Sequence, residues 1–359
     1  MSPASNWILL EYNERREFYE ILGSVVQEAI EVKIKNCDIQ VTSITHRVKS
    51  EESLKRKLIL KDGKYETLND ITDILGVRII TMYSDEVDKV ARLLETYFVV
   101  DRENTVDKRK TLGVREFGYQ SLHYICSLPK DRNFPSNMTD KKFEIQIRTE
   151  MQHIWSEINH DIGYKSDFAL PSSCMRSFSK LASLLEIADE IACNLRNEIS
   201  DYVKDVRLKI ANNTADNIEI DHVSILEYVK TNNHMKRFFE EISRKCGIEI
   251  NHSTYDTQIF MEQLKWFGFK TLGDIQNLFE RCHDVALKYA QYVFKPLKVE
   301  TITSSVGLRF LFNAELIMKD YSFEKIMDFY KISINDFKRA KKRAENLIEF
   351  RKINENDIK

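Results

Sequence analysis

The chain has 359 residues, 43% of them hydrophobic and 31% charged, with ten Gly, five Pro and a formal net charge of −2. That length suits two compact domains better than one, and the composition excludes a disordered or fibrous chain and points to a mainly helical protein. A charge this close to zero excludes bulk electrostatic binding of nucleic acid by the whole chain, so any such role falls to local basic patches.

Over residues 7–35 the apolar positions Ile8, Leu9, Tyr12, Phe18, Ile21, Leu22, Val25, Val26 and Ile30 recur at helical spacing, the signature of a packing helix. Acids within that pattern rule out a signal-peptide core, and no apolar run approaches the roughly 20 residues that span a bilayer. No membrane segment is expected, and the expected location is the cytoplasm. Residues 40–44 are β-branched and read as an extended entry into a basic stretch, His46, Arg47, Lys49, Lys55, Arg56 and Lys57. Residues 68–75 read as a short helix stopped by Gly76, and 77–81 as a buried strand, with Asp73 and Arg78 flanking the junction. Residues 85–98 are helical in period, 101–117 read as a polar loop, and 119–128 and 143–149 are β-rich runs of strand length. Helical period returns through Tyr164 and again, as a long amphipathic helix, over 176–210. Residues 211–217 are polar, asparagine-rich and without apolar period, so they read as a linker. Domains are therefore expected at residues 1–210 and 219–359, the second built of several helices.

Alternation on a strand at 143–149 puts Glu144, Gln146 and Arg148 on one face. With Asp73 at the mouth of another strand, Glu144 can offer a second carboxylate to a divalent cation working on substrate phosphates. Pairing of both acids with the abundant arginines accounts for the same spacing equally well. The six cysteines include no CxxC pair, and Cys246, His252, Cys282 and His283 match no standard zinc module.

Four stretches recur in a recognisable order. They are Thr45-His46-Arg47-Val48-Lys49-Ser50 with Ser53, Lys55, Arg56 and Lys57; Asp73-Ile74-Leu75-Gly76-Val77-Arg78; Phe117-Gly118-Tyr119-Gln120-Ser121-Leu122-His123; and Glu144-Ile145-Gln146-Ile147-Arg148-Thr149. Together they resemble the synthetase domain of the RelA/SpoT family, and Gln152, His153, Trp155, Glu157, His160, Tyr164 and Lys165 are similar to the helix after that family's catalytic strand. The resemblance covers about residues 40–200 and does not extend to the carboxy-terminal domain.

It implies an α+β fold, a nucleotidyltransferase-like mixed sheet of about five strands flanked by helices, here followed by an all-helical domain. It implies an ATP-dependent pyrophosphokinase that moves the β,γ-pyrophosphoryl group of ATP, with Mg²⁺, onto the ribose 3′-hydroxyl of GDP or GTP, giving the alarmone ppGpp or pppGpp. Carried over by matched position, Arg47 and Arg78 would sandwich the adenine, while Lys49, Ser53 and Lys57 would hold the ATP phosphates. Asp73 and Glu144 would carry the Mg²⁺ and the catalysis, with Glu144 placed to help deprotonate the acceptor hydroxyl. Tyr119 would stack on the acceptor guanine, with His123 and Gln146 completing the acceptor side.

The residues ahead of the Gly-Tyr pair, Val106 to Glu116, lack the Tyr-Ile that the family carries in its acceptor loop. A toxic branch of small alarmone synthetases transfers pyrophosphate to the 3′ end of tRNA and so inhibits translation, and some members carry a regulatory domain behind the catalytic one. That is the rival reading, in which the carboxy-terminal domain binds a regulator or partner. A third, a non-catalytic sensor, is disfavoured by the presence of both carboxylates. The basic stretch at 335–352, with Lys338, Arg339, Lys341, Lys342, Arg343, Arg351 and Lys352, reads as an RNA-binding or a solvated helix face. Trp266, Phe267 and Phe269 read as a partner surface or as core. His160-Asp161 and His283-Asp284 are read as structural, so synthesis without hydrolysis is expected.

Overall fold

Helix α1 (Pro3–Lys35) starts where Ser2 accepts a hydrogen bond from the Ser5 N–H and Pro3 occupies a position that needs no donor. Lys33 and Lys35 close it, cations in the last turn where the helix dipole favours them. The computed structural model describes residues 2–109, 121–130, 132, 134–163, 171–251, 257–296, 300–303 and 306–355. The chain divides into two units, Met1–Asn197 and Glu198–Lys359.

In the first unit α1 is followed by β1 (Val41–Val48), α2 (Glu51–Leu60), β2 (Leu75–Thr81), α3 (Ser84–Tyr97), β3 (Val99–Asp107), β4 (Leu122–Ser127), a single helical turn α4 (Ser136–Thr139), β5 (Phe143–Thr149) and α5 (Glu150–Gly163). The five strands form one mixed sheet in the order β1-β2-β5-β4-β3. Only β2 and β5 pair in parallel; β1–β2, β4–β5 and β3–β4 are antiparallel. Val77, Ile79, Ile145 and Ile147 alternate into a core with Tyr12, Leu22, Val26 and Ile30 of α1 and Val87, Val90 and Leu94 of α3. Gly23 lets α1 approach β1 closely, since a Cβ there would lie 2.3 Å from Cδ2 of His46.

Within its described residues the strand expected at 119–128 is β4, residues 119 and 120 lying outside them, while that at 143–149 is β5 and that at 77–81 lies within β2. Two local expectations are corrected. The helix at 68–75 is a 3-10 turn at Leu68–Asp70, because Ile71 and Ile74 are drawn into the core and β2 already begins at Leu75. The polar loop expected over 101–117 is strand β3 as far as Asp107, an edge strand paired with β4 at residues 99–101 and 106–107, with Arg102 and Glu103 exposed; residues 110–117 lie outside the described residues.

Helix α6 (Ser172–Ala211) contains the division between the units, and its last turns contribute Val206 and Ile210 to the core of the second. That is why the division falls ahead of residues 211–217 and not within them. The second unit continues with α7 (His222–Thr231), α8 (Asn233–Cys246), β6 (Glu249–Asn251), α9 (Thr257–Phe267), α10 (Leu272–Phe294), β7 (Thr301–Thr303), α11 (Val306–Met318), α12 (Phe323–Lys331) and α13 (Phe337–Ile353). It is helical, as expected, and also holds a short parallel ladder between β6 and β7. Trp266 and Phe267 each pack on Phe329, at 5.3 and 5.1 Å between ring centroids, so this half-buried aromatic group packs against the core. Among the described residues no helix is long and apolar enough to cross a membrane.

Candidate active site

Strand register sets two neighbouring rows of side chains across the sheet. In one, Arg47 of β1 lies opposite Gly76 of β2, which lies opposite Glu144 of β5. In the next, Thr45, Arg78, Gln146 and His123 follow one another across β1, β2, β5 and β4. Directly paired residues share a face, so all of these groups project from one side. Gly76 places no side chain between Arg47 and Glu144, and a Cβ there would meet only the Arg47 carbonyl, at 4.0 Å.

Over these rows lies a cavity of about 400 Å³ lined by Arg47, Lys49, Ser50, Ser53, Asp73, Arg78, Glu144 and Gln146, among others. Lys49 reaches it from the end of β1, and the segment is held from behind by the Tyr12 hydroxyl of α1, which donates to the Lys49 carbonyl. Ser50 caps α2 by accepting from the Ser53 N–H, so that helix starts at the cavity wall.

Asp73 sits between two ammonium groups, Lys57 Nζ at 2.6 Å and Lys49 Nζ at 3.1 Å. Burial pushes its carboxyl up, but the Lys49 charge and the Lys57 hydrogen bond more than offset that and hold it below the usual carboxylate value. The ammonium of Lys57 also lies 5.6 Å from the Tyr65 ring centroid. Glu144 accepts from His123 Nδ1 on Oε1 and from Gln146 Nε2 on Oε2, both at 2.7 Å. Burial raises its carboxyl, the His123 hydrogen bond and charge lower it, and the net direction is downward, with the nearby Asp73 charge opposing. Both acids are therefore ionised at neutral pH.

The arrangement brings together Arg47, Lys49, Ser53, Asp73, Arg78, Glu144 and Gln146 on one cavity, with Lys57 and His123 bonded to its two acids. His123 and Gln146, expected on the acceptor side, are engaged with Glu144 itself. Tyr119 lies outside the described residues, as do Gly118 and Gln120. Two participants carried no site role in the sequence: Tyr12, read only as an apolar position of the first helix, and Glu157 of α5, matched only as part of the family's helix, whose Oε1 is 3.4 Å from Arg78 Nη1.

Two ionised carboxylates on one cavity, close enough for one to feel the other's charge, are a donor set suited to a hard divalent cation that completes its shell with phosphate oxygens. Among the described residues no group of three His, Cys, Asp or Glu side chains is placed to hold a metal alone, and His252 of the cysteine–histidine set lies outside them.

A cavity with two acids, a lysine pair and two arginines on a mixed sheet is of the class that can neutralise a polyphosphate beside a divalent cation. The family pattern described as "Region found in RelA / SpoT proteins" matches residues 46–168. Over 156 residues, 43% of this chain and 72% of the relative, the sequence is 30% identical to the GTP pyrophosphokinase YwaC of Bacillus subtilis. It is 26% identical over 161 residues to the GTP pyrophosphokinase YjbM of the same organism, covering 44% of this chain and 73% of that protein. The crystal structure of small alarmone synthetase 2 from Bacillus subtilis aligns with 53% of this chain and 96% of its own, at 27% identity and a TM-score of 0.41. The chain belongs to the RelA/SpoT family.

Proposed function

We propose that the first unit transfers pyrophosphate from ATP to the ribose 3′-hydroxyl of GDP or GTP, making ppGpp or pppGpp. The observation that carries this reading is the joint presence of Asp73 and Glu144 on one cavity with Lys49, Arg47 and Arg78, in a chain whose relatives are named GTP pyrophosphokinases. Mg²⁺, held by Asp73 and Glu144, would supply charge neutralisation at the transferred phosphates. The reaction forms a bond from the acceptor O3′ to the β-phosphorus, breaks the bond from that phosphorus to the α,β-bridging oxygen, and releases AMP. Lys49 and Lys57 stand at the acid nearest the basic helix start and exchange its carboxylate for phosphate oxygens as the nucleotide arrives. Arg47 and Arg78 give planar cations for the adenine ring. A carboxyl held below its ordinary range accepts a proton weakly, so metal binding is the first role of Glu144 and proton acceptance the second. Tyr119, with His123 and Gln146, is assigned to the acceptor.

A second reading, transfer to the 3′ end of tRNA, draws on one observation in the other unit. Lys338, Arg339 and Lys342 are exposed on α13 and, among the described residues, lie within 4.0 Å of no carboxylate, while Lys341 has only Glu345 at 3.9 Å. In this reading the helical unit recruits RNA; in the first it regulates the synthetase or binds a protein partner. One incubation with labelled ATP, Mg²⁺, GDP, GTP and deacylated tRNA separates them. Label in ppGpp or pppGpp is the expected result, and label confined to the tRNA terminus would replace the first reading by the second.

A further inference from the structure

Glu157 gathers three groups from three elements on one oxygen. Its Oε1 lies 3.4 Å from Arg78 Nη1 on β2, 3.7 Å from Arg148 Nη2 on β5 and 3.4 Å from His153 Nδ1 one turn earlier on α5. Arg148 is 1% exposed, and its Nε and Nη2 make no hydrogen bond. A guanidinium that deep needs a counter-charge, and among the described residues Glu157 is the carboxylate within 4.0 Å of it. Burial, then the charges of Arg148 and Arg78, hold the His153 imidazole below its ordinary value, so it adds no third cation at neutral pH. The negative charge is left to the two arginines.

An exposed ion pair alone is worth little, and the Glu157 side chain is 57% exposed. The buried anchor changes that. Arg148 holds the carboxylate by its charge from within the sheet, and the held carboxylate restricts Arg78, whose long side chain otherwise gives up rotamer freedom on ordering. Resting on the ATP reading above, we infer that Glu157 is a positioning residue for the nucleotide donor: it presets the Arg78 guanidinium on the cavity wall so that ATP does not have to order it. Preordering of this kind acts on binding and leaves the transfer step alone.

The test measures affinity for a non-hydrolysable ATP analogue and the KM of ATP and of the acceptor on the full chain carrying Glu157→Ala, Glu157→Gln, Glu157→Asp, Arg78→Ala and the Arg78→Ala/Glu157→Ala pair. Expected is about a fivefold loss of analogue affinity and rise in the KM of ATP for Glu157→Ala, a comparable loss for the shape-preserving Glu157→Gln, and partial recovery in Glu157→Asp. The acceptor KM and kcat stay within about twofold, and the double variant is no worse than Arg78→Ala. Unchanged ATP affinity in Glu157→Ala and Glu157→Gln, with Arg78→Ala weakened, overturns the positioning role and leaves the ATP reading intact. Equal rises in both KM values, or a lowered melting temperature with analogue affinity kept, also overturn it, in favour of a structural role. Full analogue affinity in Arg78→Ala overturns the ATP assignment at this end of the cavity and the inference with it.

Discussion

Asp73 faces two ammonium groups and Glu144 an imidazole and an amide, so each acid is compensated before any substrate enters. The two environments differ in kind. Lysines can move to phosphate and free Asp73, whereas Gln146 and His123 are strand residues that hold Glu144 at a fixed orientation. Asp73→Asn and Glu144→Gln each remove a charge with little change of volume, and either is expected to lower pyrophosphate transfer at least about 100-fold with an unchanged circular dichroism spectrum and melting curve. Transfer within tenfold of the parent in either variant would remove that residue from the metal assignment. The motif pattern was enough to mark Lys49, Lys57, Asp73, Arg78 and Glu144 as one group. It was silent on who bonds to whom, because the partners of Glu144 come from its own strand and its neighbour, and Tyr12 reaches Lys49 across 37 residues of sequence with no local signal.

Strands and helices were legible where one apolar period dominates, as in α1 and β5. They were not where charge masks it. β3 carries Asp101, Arg102, Glu103 and Asp107, a charge load that an edge strand tolerates because Arg102 and Glu103 are exposed while Asp101 pairs with Lys142 and Asp107 with Arg109. A tie between elements that no pattern reveals is the hydrogen bond from Thr149 Oγ1, at the end of β5, to Asp189 Oδ2 of α6 at 2.5 Å. Burial raises the Asp189 carboxyl from 3.8 to about 6, with the Thr149 hydrogen bond pulling the other way. A raised carboxyl means the folded chain binds a proton that the unfolded chain has already lost, so stability falls as pH rises between about 4 and 6. Asp189→Asn is expected to flatten that part of the stability profile, by about 3 kcal/mol across the window, in urea titrations at several pH values. A profile with the parent's slope would show that Asp189 titrates normally.

Each of the two units has its own buried cluster. Calorimetry should therefore resolve two transitions. In the second unit Gly307 packs so closely that a Cβ would lie 2.0 Å from Phe239 Cε1, so Gly307→Ala is expected to lower one transition by about 5 °C or more, while an ATP analogue with Mg²⁺ raises only the other. A single transition that answers to both changes would contradict two separate cores. Length and the polar stretch at 211–217 point to two domains, but a division inside a continuous helix carries no sequence signal, since the apolar period of α6 runs straight through it, with Leu195 before and Ile199, Val206 and Ile210 after. The family pattern begins at residue 46, yet Leu22, Val26 and Ile30 of α1 cover the sheet and Tyr12 props the Lys49 backbone. What is recognisable is thus shorter than what folds: a fragment cut to the matched span would bare an oily sheet face and leave the site's first lysine on an unsupported strand end, giving an insoluble product whose silence would say nothing about chemistry.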